Sequence, residues 1–296
     1  MQINRQVFPW WLRIAIKIFL SRLPIPYSFW KKLGIFEHGD MNEPKKAISQ
    51  YLEHALTANL IDVDAGKYLK FRKKITVLEL GPGDSLATAV ISKSLKAEKT
   101  WLVDSGSFAR YDSNCSVMGS ALKLKGLYDP FLGKKNLSFN DYLFECNSTY
   151  LTQGVDSLLN IPNDSVDYCF SNAVLEHIPK HDFNRMIEEL YRILKAGSIC
   201  VHRIDLRDHL GGALNNLRFS ESIWESSLLS KSGFYTNRIR FCEMTSLFEK
   251  VGFYSRIVNI KKWETLPTDR IFMNSKFASL SDEDLRVKVF DLVLKK

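Results

Sequence analysis

The sequence is poor in cysteine and lacks the spacings that bind metal ions. None of its five cysteines belongs to a C-x-x-C pair, and no H-E-x-x-H or similar motif is present. An odd, scattered set fits neither a disulfide framework nor a zinc site, so it indicates a reducing compartment and a cytoplasmic protein. We therefore expect no metal site.

Acidic residues are missing from residues 1–36, which contain six basic side chains: Arg5, Arg13, Lys17, Arg22, Lys31 and Lys32. Most of the formal net charge of +8 therefore belongs to this segment. An excess of basic residues in one segment differs from the uniformly basic surface of a nucleic-acid-binding protein. We therefore expect no nucleic-acid partner.

A long uninterrupted apolar run is also missing. Residues 7–23 are almost all apolar, but Arg13, Lys17 and Ser21 recur at every fourth position and form one polar stripe along a helix. Two internal cations argue against a membrane span, and two prolines follow where a signal peptide would carry small residues. Two interpretations stay open: a helix packed on the domain, or an amphipathic helix that makes a peripheral contact with an anionic membrane through residues 7–36.

The rest of the chain alternates strand-like and helix-like patterns, which predicts an α/β fold with a parallel sheet covered on both faces. The predicted strands are 75–80, 100–104, 150–153, 167–171, 198–204, 254–260 and 287–294. The predicted helices are 87–96, one that Asp182 caps and Lys195 and Gly197 close, and 243–251. We divide the chain into a basic, aromatic-rich helical arm at 1–46 and one domain at 47–296, with an insertion at 206–240.

The turn after the first predicted strand resembles a nucleotide-binding turn with one glycine missing. Residues 75–85 read ITVLELGPGDS, with Gly81 and Gly83 directly after the strand. A dinucleotide fingerprint would carry a third glycine where the chain has Leu86, and Asp84 would repel a pyrophosphate. The turn therefore disfavours NAD and nucleoside-diphosphate sugars.

Acidic residues around this turn suit a different nucleoside. Asp104 follows Gly83 by 21 residues and ends the second strand, where a carboxylate accepts hydrogen bonds from ribose hydroxyls. S-adenosyl-L-methionine has that ribose, no phosphate, and a methionine portion with an ammonium and a sulfonium. Glu79 and Asp84 would attract those cations, so the sequence predicts S-adenosyl-L-methionine as cofactor.

Several motifs together resemble those of Rossmann-like S-adenosylmethionine-dependent methyltransferases. They are VLELGPGDS, LVDSGS, IPNDSVDYCFSNAVLEHI and ELYRILKAGS, which cover about residues 72 to 205. A narrower resemblance, to bacterial methyltransferases of surface-glycan and glycoconjugate biosynthesis, is carried by RLPIPYSFWKKLGIFEHGDM, HRIDLRDHL and YTNRIR. The family implies a seven-stranded, mostly parallel sheet with helices on both faces.

The resemblance also implies roles for individual residues. The cofactor site would contain Glu79, Gly81 and Gly83 at the methionine portion, Asp104 at the ribose, Asp156 and Ser157 at the adenine, and Asn172 and Ala173 at the methyl-transfer face. The usual G-D-A order is absent after the third strand, so Asp156 with Ser157 stands in for it.

The fourth-strand motif limits the acceptor. It reads SNAVLEHIP and lacks the Pro-Pro dipeptide of methyltransferases that modify amines of nucleic-acid bases. Cys169 lies inside the strand, where a cysteine is usually a small buried apolar residue rather than a nucleophile. A small-molecule or glycan acceptor is therefore favoured, such as a surface-polysaccharide or glycoconjugate precursor.

Methyl transfer to a hydroxyl needs a group that removes its proton. The candidates are His177, His202, Asp205, Asp208 and His209. The loop after the fifth strand leaves the sheet at its carboxyl end, so we predict His209 as the base, with Asp208 or Asp205 orienting its imidazole. The alternative is a loop whose Asp and His side chains satisfy backbone groups.

The sequence thus predicts an S-adenosylmethionine-dependent methyltransferase that acts on a small molecule or glycan at a hydroxyl. The insertion would form part of a substrate lid, with Trp224 and Arg218 available for a sugar or an acidic group. The alternative function is a non-catalytic, membrane-associated protein that binds S-adenosylmethionine.

Overall fold

The computed structural model describes residues 9, 11, 12, 43–63, 68–109, 116–134 and 137–296. The predicted arm lies almost entirely outside these residues, so both interpretations of it stay predictions. Within the described ranges, no helix is long and apolar enough to cross a membrane.

Nine strands are described: β1 (Ile61–Val63), β2 (Leu69–Phe71), β3 (Thr76–Leu80), β4 (Lys99–Val103), β5 (Ser148–Leu151), β6 (Val166–Asn172), β7 (Leu194–Asp205), β8 (Tyr254–Lys262) and β9 (Val287–Lys295). β1 and β2 form a small antiparallel pair. The other seven form one sheet in the order β5-β4-β3-β6-β7-β9-β8. Strands β3 to β7 pair in parallel, and β9 runs antiparallel to both β7 and β8. The predicted seven-stranded, mostly parallel sheet is confirmed.

The strand order indicates where on the sheet a ligand can bind. Successive parallel strands proceed outward from β3 to β5, and the chain then returns to β6 on the other side of β3. Loops on either side of β3 therefore diverge at its carboxyl end and leave a crevice there. Ligands of open α/β sheets bind in such a crevice.

Helices in the described residues are α1 (Pro44–Thr57), α2 (Ala87–Ser94), α3 (Ser116–Leu124), α4 (Phe139–Glu145), α5 (Lys180–Ile193), α6 (Glu221–Trp224), α7 (Phe241–Val251), α8 (Ser275–Ala278) and α9 (Asp282–Leu285). The longer ones cover both faces of the sheet. Tyr168 and Phe170 of β6 belong to the core shared with α1, α2 and α4, whereas Cys169 between them belongs to the core shared with α5 and α7. A strand buried on both sides in this way explains the continuous apolar runs of the sequence.

Two predicted boundaries around α5 were wrong. The helix begins at Lys180 after an extended Pro179, so Asp182 lies in the first turn and is not the N-cap. β7 begins immediately at Leu194, and Lys195 and Gly197, expected to close the helix, lie inside that strand. The extended backbone of Leu194 ends the helix without a glycine cap.

The predicted domain boundary at residue 46 falls inside α1. The buried face of this helix includes Ala47, Ile48 and Tyr51, which belong to the main core. Arg203 of β7 also donates a hydrogen bond to Glu53 at 2.8 Å. α1 is therefore part of the folded domain.

Segment 206–240, predicted to be an insertion, contains its own apolar cluster, formed by Leu210, Trp224, Leu229, Phe234 and Tyr235. A neighbouring cluster joins Leu214 and Leu217 to Met273, Phe277 and Leu285. The segment is thus a packed layer rather than an open loop.

Candidate active site

The turn after β3 favours glycine at two positions. Gly81 has φ +69°, and a Cβ atom there would lie 2.4 Å from Cγ2 of Val174. Gly83 has φ +67°, and its N–H donates to Oδ2 of Asp104 at 2.8 Å. Positive φ disfavours other residues at both positions, and the close approach of Val174 adds a steric cost at Gly81.

Glu79 lies at the end of β3 and is 5% exposed. Its pKa is raised to about 8: burial is the largest cause, a hydrogen bond from the Thr88 side chain lowers the pKa, and the charge of Asp104 raises it. Its Oε2 atom is buried and has no hydrogen-bond partner among the described residues. A buried carboxyl group with a spare acceptor fits the ammonium of the S-adenosylmethionine methionine portion.

Asp104 is the predicted ribose ligand. Its Oδ2 accepts from Gly83 N–H, and its Oδ1 accepts from Ser105 N–H at 2.7 Å. These two backbone bonds orient the carboxylate and hold it beside the glycine turn. Its contact with a ribose stays a prediction.

The two adenine candidates are engaged elsewhere. The Asp156 side chain is 61% exposed and forms an ion pair with Arg185 of α5 at 2.6 Å. Ser157 is buried, and its hydroxyl accepts from Gln153 N–H at 2.9 Å. Their contact with adenine stays a prediction, and for Asp156 it requires the Arg185 pair to open.

Asn172 and Ala173 follow β6 at the same edge of the sheet. Ala173 has φ +54°, and its N–H donates to Arg203 O at 2.8 Å. Oδ1 of Asn172 is buried without a hydrogen-bond partner in the described part of the chain. Val174 next to them packs over Gly81, so the end of β6 borders the glycine turn directly.

Asp208 does not orient His209, contrary to the prediction. Its Oδ1 accepts from four consecutive backbone N–H groups, those of residues 210 to 213, at 2.8–3.1 Å. Its Oδ2 accepts from Asn215 N–H at 2.5 Å. The side chain is 3% exposed and organises the loop from within. The alternative interpretation, an acid that satisfies backbone groups, is the one observed for Asp208.

Asp205 does not orient His209 either. It binds Arg207, whose Nε and Nη2 donate to its carboxylate at 2.5–3.1 Å. Its backbone N–H donates to Oε1 of Glu176 at 3.1 Å. Burial raises the pKa of Glu176 to about 8, and the charge of Asp205 adds to that shift.

The side chain in contact with His209 is that of His177, not the expected carboxylate. Nε2 of His209 lies 3.2 Å from Nε2 of His177, with the ring centroids 4.9 Å apart and the planes 16° apart. His177 belongs to the 3₁₀ turn Leu175–His177 that follows β6. Nδ1 of His177 lies 3.0 Å from the carbonyl oxygen of Tyr235. Both rings are exposed at the carboxyl edge of the sheet.

The other predicted residues are placed as follows. His202 is fully buried on β7, where its Nδ1 lies 2.8 Å from the Ser171 hydroxyl. Trp224 is also fully buried, and its Nε1–H donates to Thr236 O at 2.7 Å, so it is not available to a sugar. Arg218 donates to Asn215 and lies over the ring of Phe272.

Sequence reasoning missed the contribution of α1. The Tyr51 ring packs edge-on against Phe170 of β6 with centroids 5.2 Å apart, and its hydroxyl lies 2.8 Å from the Ser92 hydroxyl of α2. Tyr51 therefore joins α1 to the sheet and to α2. The signal was a helical pattern from Pro44 onward, which the assignment of residues up to 46 to the arm obscured.

The fold brings together three potential metal ligands whose spacing in the sequence does not match a metal-binding motif. Cys169 and Cys200 are register partners on β6 and β7, and His202 lies two residues further along β7. Their ligand atoms lie within 4.8 Å of one another, and all three residues are buried. Cys169 and Cys200 belong to the core shared with α5 and α7, and the His202 ring stacks on Phe248 of α7.

Comparisons with known proteins agree with this geometry. A family model described as a methyltransferase domain matches residues 133–202. A search of curated proteins finds no match. A solved S-adenosylmethionine-dependent methyltransferase from Archaeoglobus fulgidus is 12% identical, with 92% of this chain and 100% of that chain covered and a TM-score of 0.46.

Two further solved structures are similar at the same level. One from Mesorhizobium loti is 13% identical, with 75% of this chain and 91% of that chain covered and a TM-score of 0.40. An arsenic(III) S-adenosylmethionine methyltransferase from Chlamydomonas reinhardtii is 18% identical, with 75% and 62% covered and a TM-score of 0.38. Similarity at this level gives no information about the acceptor of this chain. The family model covers residues 133–202, which include β5, β6, α5 and most of β7, so the comparisons show a similarity of this part of the chain to a methyltransferase domain.

Proposed function

We propose that the chain transfers a methyl group from S-adenosyl-L-methionine to a hydroxyl of a small molecule or glycan. The observation that carries the donor side is the buried Oε2 of Glu79, which has no partner among the described residues and lies at the carboxyl end of β3. Glu79 would hold the ammonium and Asp104 the ribose. The cofactor supplies an activated methyl group on sulfonium sulfur.

The acceptor side of the proposal rests on His209. Its ring is exposed on the loop after β7, and its contact with His177 draws it toward the end of β6, where Asn172 and Ala173 would line the methyl-transfer face. A neutral imidazole there would take the proton of the attacking hydroxyl. Asp205, held by Arg207, would act on the loop rather than on that proton.

Finer parts of the proposal rest on sequence motifs. The resemblance of RLPIPYSFWKKLGIFEHGDM, HRIDLRDHL and YTNRIR to glycan-associated bacterial methyltransferases supports a surface-polysaccharide or glycoconjugate precursor as acceptor. A lipid-linked precursor would suit a cytoplasmic enzyme held at the inner membrane face by residues 7–36. The packed layer at 206–240 would cover the acceptor as a lid.

The donor side is tested by calorimetry with S-adenosylhomocysteine, S-adenosylmethionine and NAD. The adenosyl ligands should bind and raise the melting temperature, because a ligand of the native state stabilises it by mass action. Asp104→Ala should weaken binding by about 1–3 kcal/mol through the lost charged hydrogen bonds. Binding of NAD without the adenosyl ligands would overturn the proposal.

The acceptor side is tested by transfer of a labelled methyl group to glycan and lipid-linked sugar fractions. His209→Ala should lower turnover by about 10² to 10⁴-fold and leave cofactor affinity unchanged, because a general base acts only on the reacting proton. Tight cofactor binding with no transfer to any fraction would favour the alternative, a binding protein without turnover. Normal turnover of His209→Ala would remove His209 as the base.

A further inference from the structure

The buried cluster of Cys169, Cys200 and His202 spans two neighbouring strands. Cys169 of β6 and Cys200 of β7 are register partners, and both belong to the core on the same face of the sheet. His202 follows Cys200 by two residues, and alternate residues of a strand face the same side. The two sulfur atoms and one ring nitrogen lie within 4.8 Å of one another, and all three residues are buried.

These separations are close to those of a zinc site. Zinc binds sulfur at about 2.3 Å and imidazole nitrogen at about 2.0 Å with tetrahedral angles, which places neighbouring ligand atoms about 3.5–3.8 Å apart. The 4.8 Å limit exceeds that spacing by about 1 Å. A rotation of about 30° about the Cα–Cβ bond moves a cysteine sulfur by about 0.9 Å. Small rotations of the side chains can therefore close the cluster on an ion.

The two ring nitrogens of His202 have different surroundings. Nδ1 lies 2.8 Å from the hydroxyl of Ser171, the register partner of His202 on β6. Nε2 is buried and has no hydrogen-bond partner among the described residues. A histidine that binds a metal through one nitrogen donates its other ring N–H to a polar neighbour, which fixes the tautomer and the ring orientation. The Ser171 hydroxyl is such a neighbour, so Nε2 is the atom left to bind an ion.

We propose that Cys169, Cys200 and His202 form a structural zinc(II) site that fastens β6 to β7. Thiolate ligands select zinc(II) or copper(I) over harder ions. On binding, the two thiol protons leave to solvent, and the two thiolates balance the charge of zinc(II), so the occupied site is neutral. Copper(I) would leave one net negative charge in the core, which burial penalises. Zinc with three protein ligands completes its coordination with a small ligand such as water.

The position of the cluster in the sheet indicates what the ion would do. Cys169 precedes Asn172, the last residue of β6, by three positions. The His202 ring stacks on Phe248 of α7, with centroids 6.2 Å apart and planes 18° apart. Apolar surroundings of this kind shield a metal from solvent. The ion would therefore stabilise the pairing of β6 with β7 and hold the strand end that borders the glycine turn. This role does not depend on the acceptor of the proposed methyl transfer.

The test is metal binding by the full chain, purified under reducing conditions and stripped with a chelator. Zinc(II) should bind at one ion per chain in calorimetry and raise the melting temperature, because a ligand of the native state stabilises it by mass action. X-ray absorption of the zinc-loaded protein should show two sulfur atoms and one imidazole nitrogen bound to the metal. Cobalt(II) in place of zinc should give the intense near-ultraviolet absorption of cobalt–thiolate bonds.

Variants show whether the ion lies at this cluster. Cys169→Ala and His202→Leu each remove one ligand and should abolish both the cobalt absorption and the rise in melting temperature on adding zinc. Ser171→Ala removes only the partner of Nδ1 and should weaken zinc binding by about 10- to 100-fold. Cys146→Ala is the matched control, because Cys146 is also buried but lies outside the cluster. Truncation of any buried side chain can lower stability, and the change on adding zinc isolates the site.

The inference fails if the folded wild-type chain binds no zinc, or if Cys169→Ala and His202→Leu bind zinc as tightly as Cys146→Ala does. Binding of copper(I) without binding of zinc would overturn the assignment of the ion. Should the ligand variants not fold, X-ray absorption of the wild type still decides, because a metal bound without two sulfur atoms would contradict the cluster. None of these results bears on cofactor binding or methyl transfer, which are tested separately.

Discussion

The charge of Glu79 should control how the proposed cofactor site receives an ammonium group. Its pKa of about 8 means that it is mostly protonated at neutral pH, because burial penalises the carboxylate. A bound ammonium favours the carboxylate, so ligand binding below pH 8 must release the Glu79 proton. Between pH 6 and 8 the affinity for S-adenosylhomocysteine should therefore rise with pH, by up to about tenfold per unit.

Calorimetry in buffers of different ionisation enthalpy measures that proton release directly. Glu79→Gln should abolish it and lower the affinity by about 1.5–3 kcal/mol, the value of a hydrogen bond to a charged group. Glu176→Gln is the matched control, because Glu176 is equally buried with a pKa of about 8 but lies beside Asp205. Equal proton release in wild type and Glu79→Gln would contradict the assignment.

At the scale of single elements, the sequence predicted the sheet well because alternate residues of each strand pack into two different cores. The continuous apolar run of β6, with Tyr168 and Cys169 on opposite faces, is a strong local signal. The ends of the helices were predicted less accurately. The end of α5 depends on the extended backbone of Leu194, and no glycine or proline stands at that position to indicate it.

Some residues of the candidate site could be predicted from the sequence, and others could not. Glu79, Gly81, Gly83 and Asp104 lie within 26 consecutive residues, so one strand–turn–helix–strand pattern carries them. The pairing of His177 with His209 joins two loops through the carbonyl of Tyr235, and only the packed fold brings the three together. Asp208 was misassigned because an acid beside a histidine looks the same in sequence whether it faces the ring or the backbone.

The glycine turn gives an element-scale prediction. Gly81→Ala should destabilise the protein and weaken S-adenosylhomocysteine binding, because φ is +69° and the new Cβ would lie 2.4 Å from Val174 Cγ2. Adding Val174→Ala removes the steric part and leaves the backbone strain of about 1 kcal/mol. Thermal unfolding of Gly81→Ala, Val174→Ala and the double variant checks this. A double variant no more stable than Gly81→Ala would contradict the contact.

The loop after β7 gives a second prediction at the scale of one element. Asp208→Ala leaves five backbone N–H groups without their acceptor and should lower the free energy of unfolding by several kcal/mol, since each buried unsatisfied donor costs about 1–3 kcal/mol. Asp205→Ala removes one partly exposed ion pair and should cost about 0–1 kcal/mol. Urea unfolding compares the two. Similar losses would show that the Asp208 bonds do not organise the loop.

At the scale of the whole molecule, the proposed site groups come from segments that meet at one edge of the sheet. The proposed cofactor groups lie at the ends of β3 and β4, the proposed methyl-transfer face at the end of β6, and the His209 loop after β7. The parallel order of β4-β3-β6-β7 brings these four carboxyl ends side by side. The Tyr235 carbonyl of the packed layer at 206–240 contacts His177 after β6, so the proposed lid and the proposed base would depend on the same layer.

The role of the predicted arm can be tested by truncation. Removal of residues 1–36 leaves α1 whole, including the buried Tyr51 and the ion pair between Glu53 and Arg203, so the truncated protein should fold and bind S-adenosylhomocysteine as before. Six basic residues and no acid leave with the segment. If the arm lies on membranes, the full chain should sediment with anionic liposomes, less so at high salt, and the truncated chain should not. Neutral liposomes are the control for charge. A truncated protein that loses cofactor binding would instead support a helix packed on the domain.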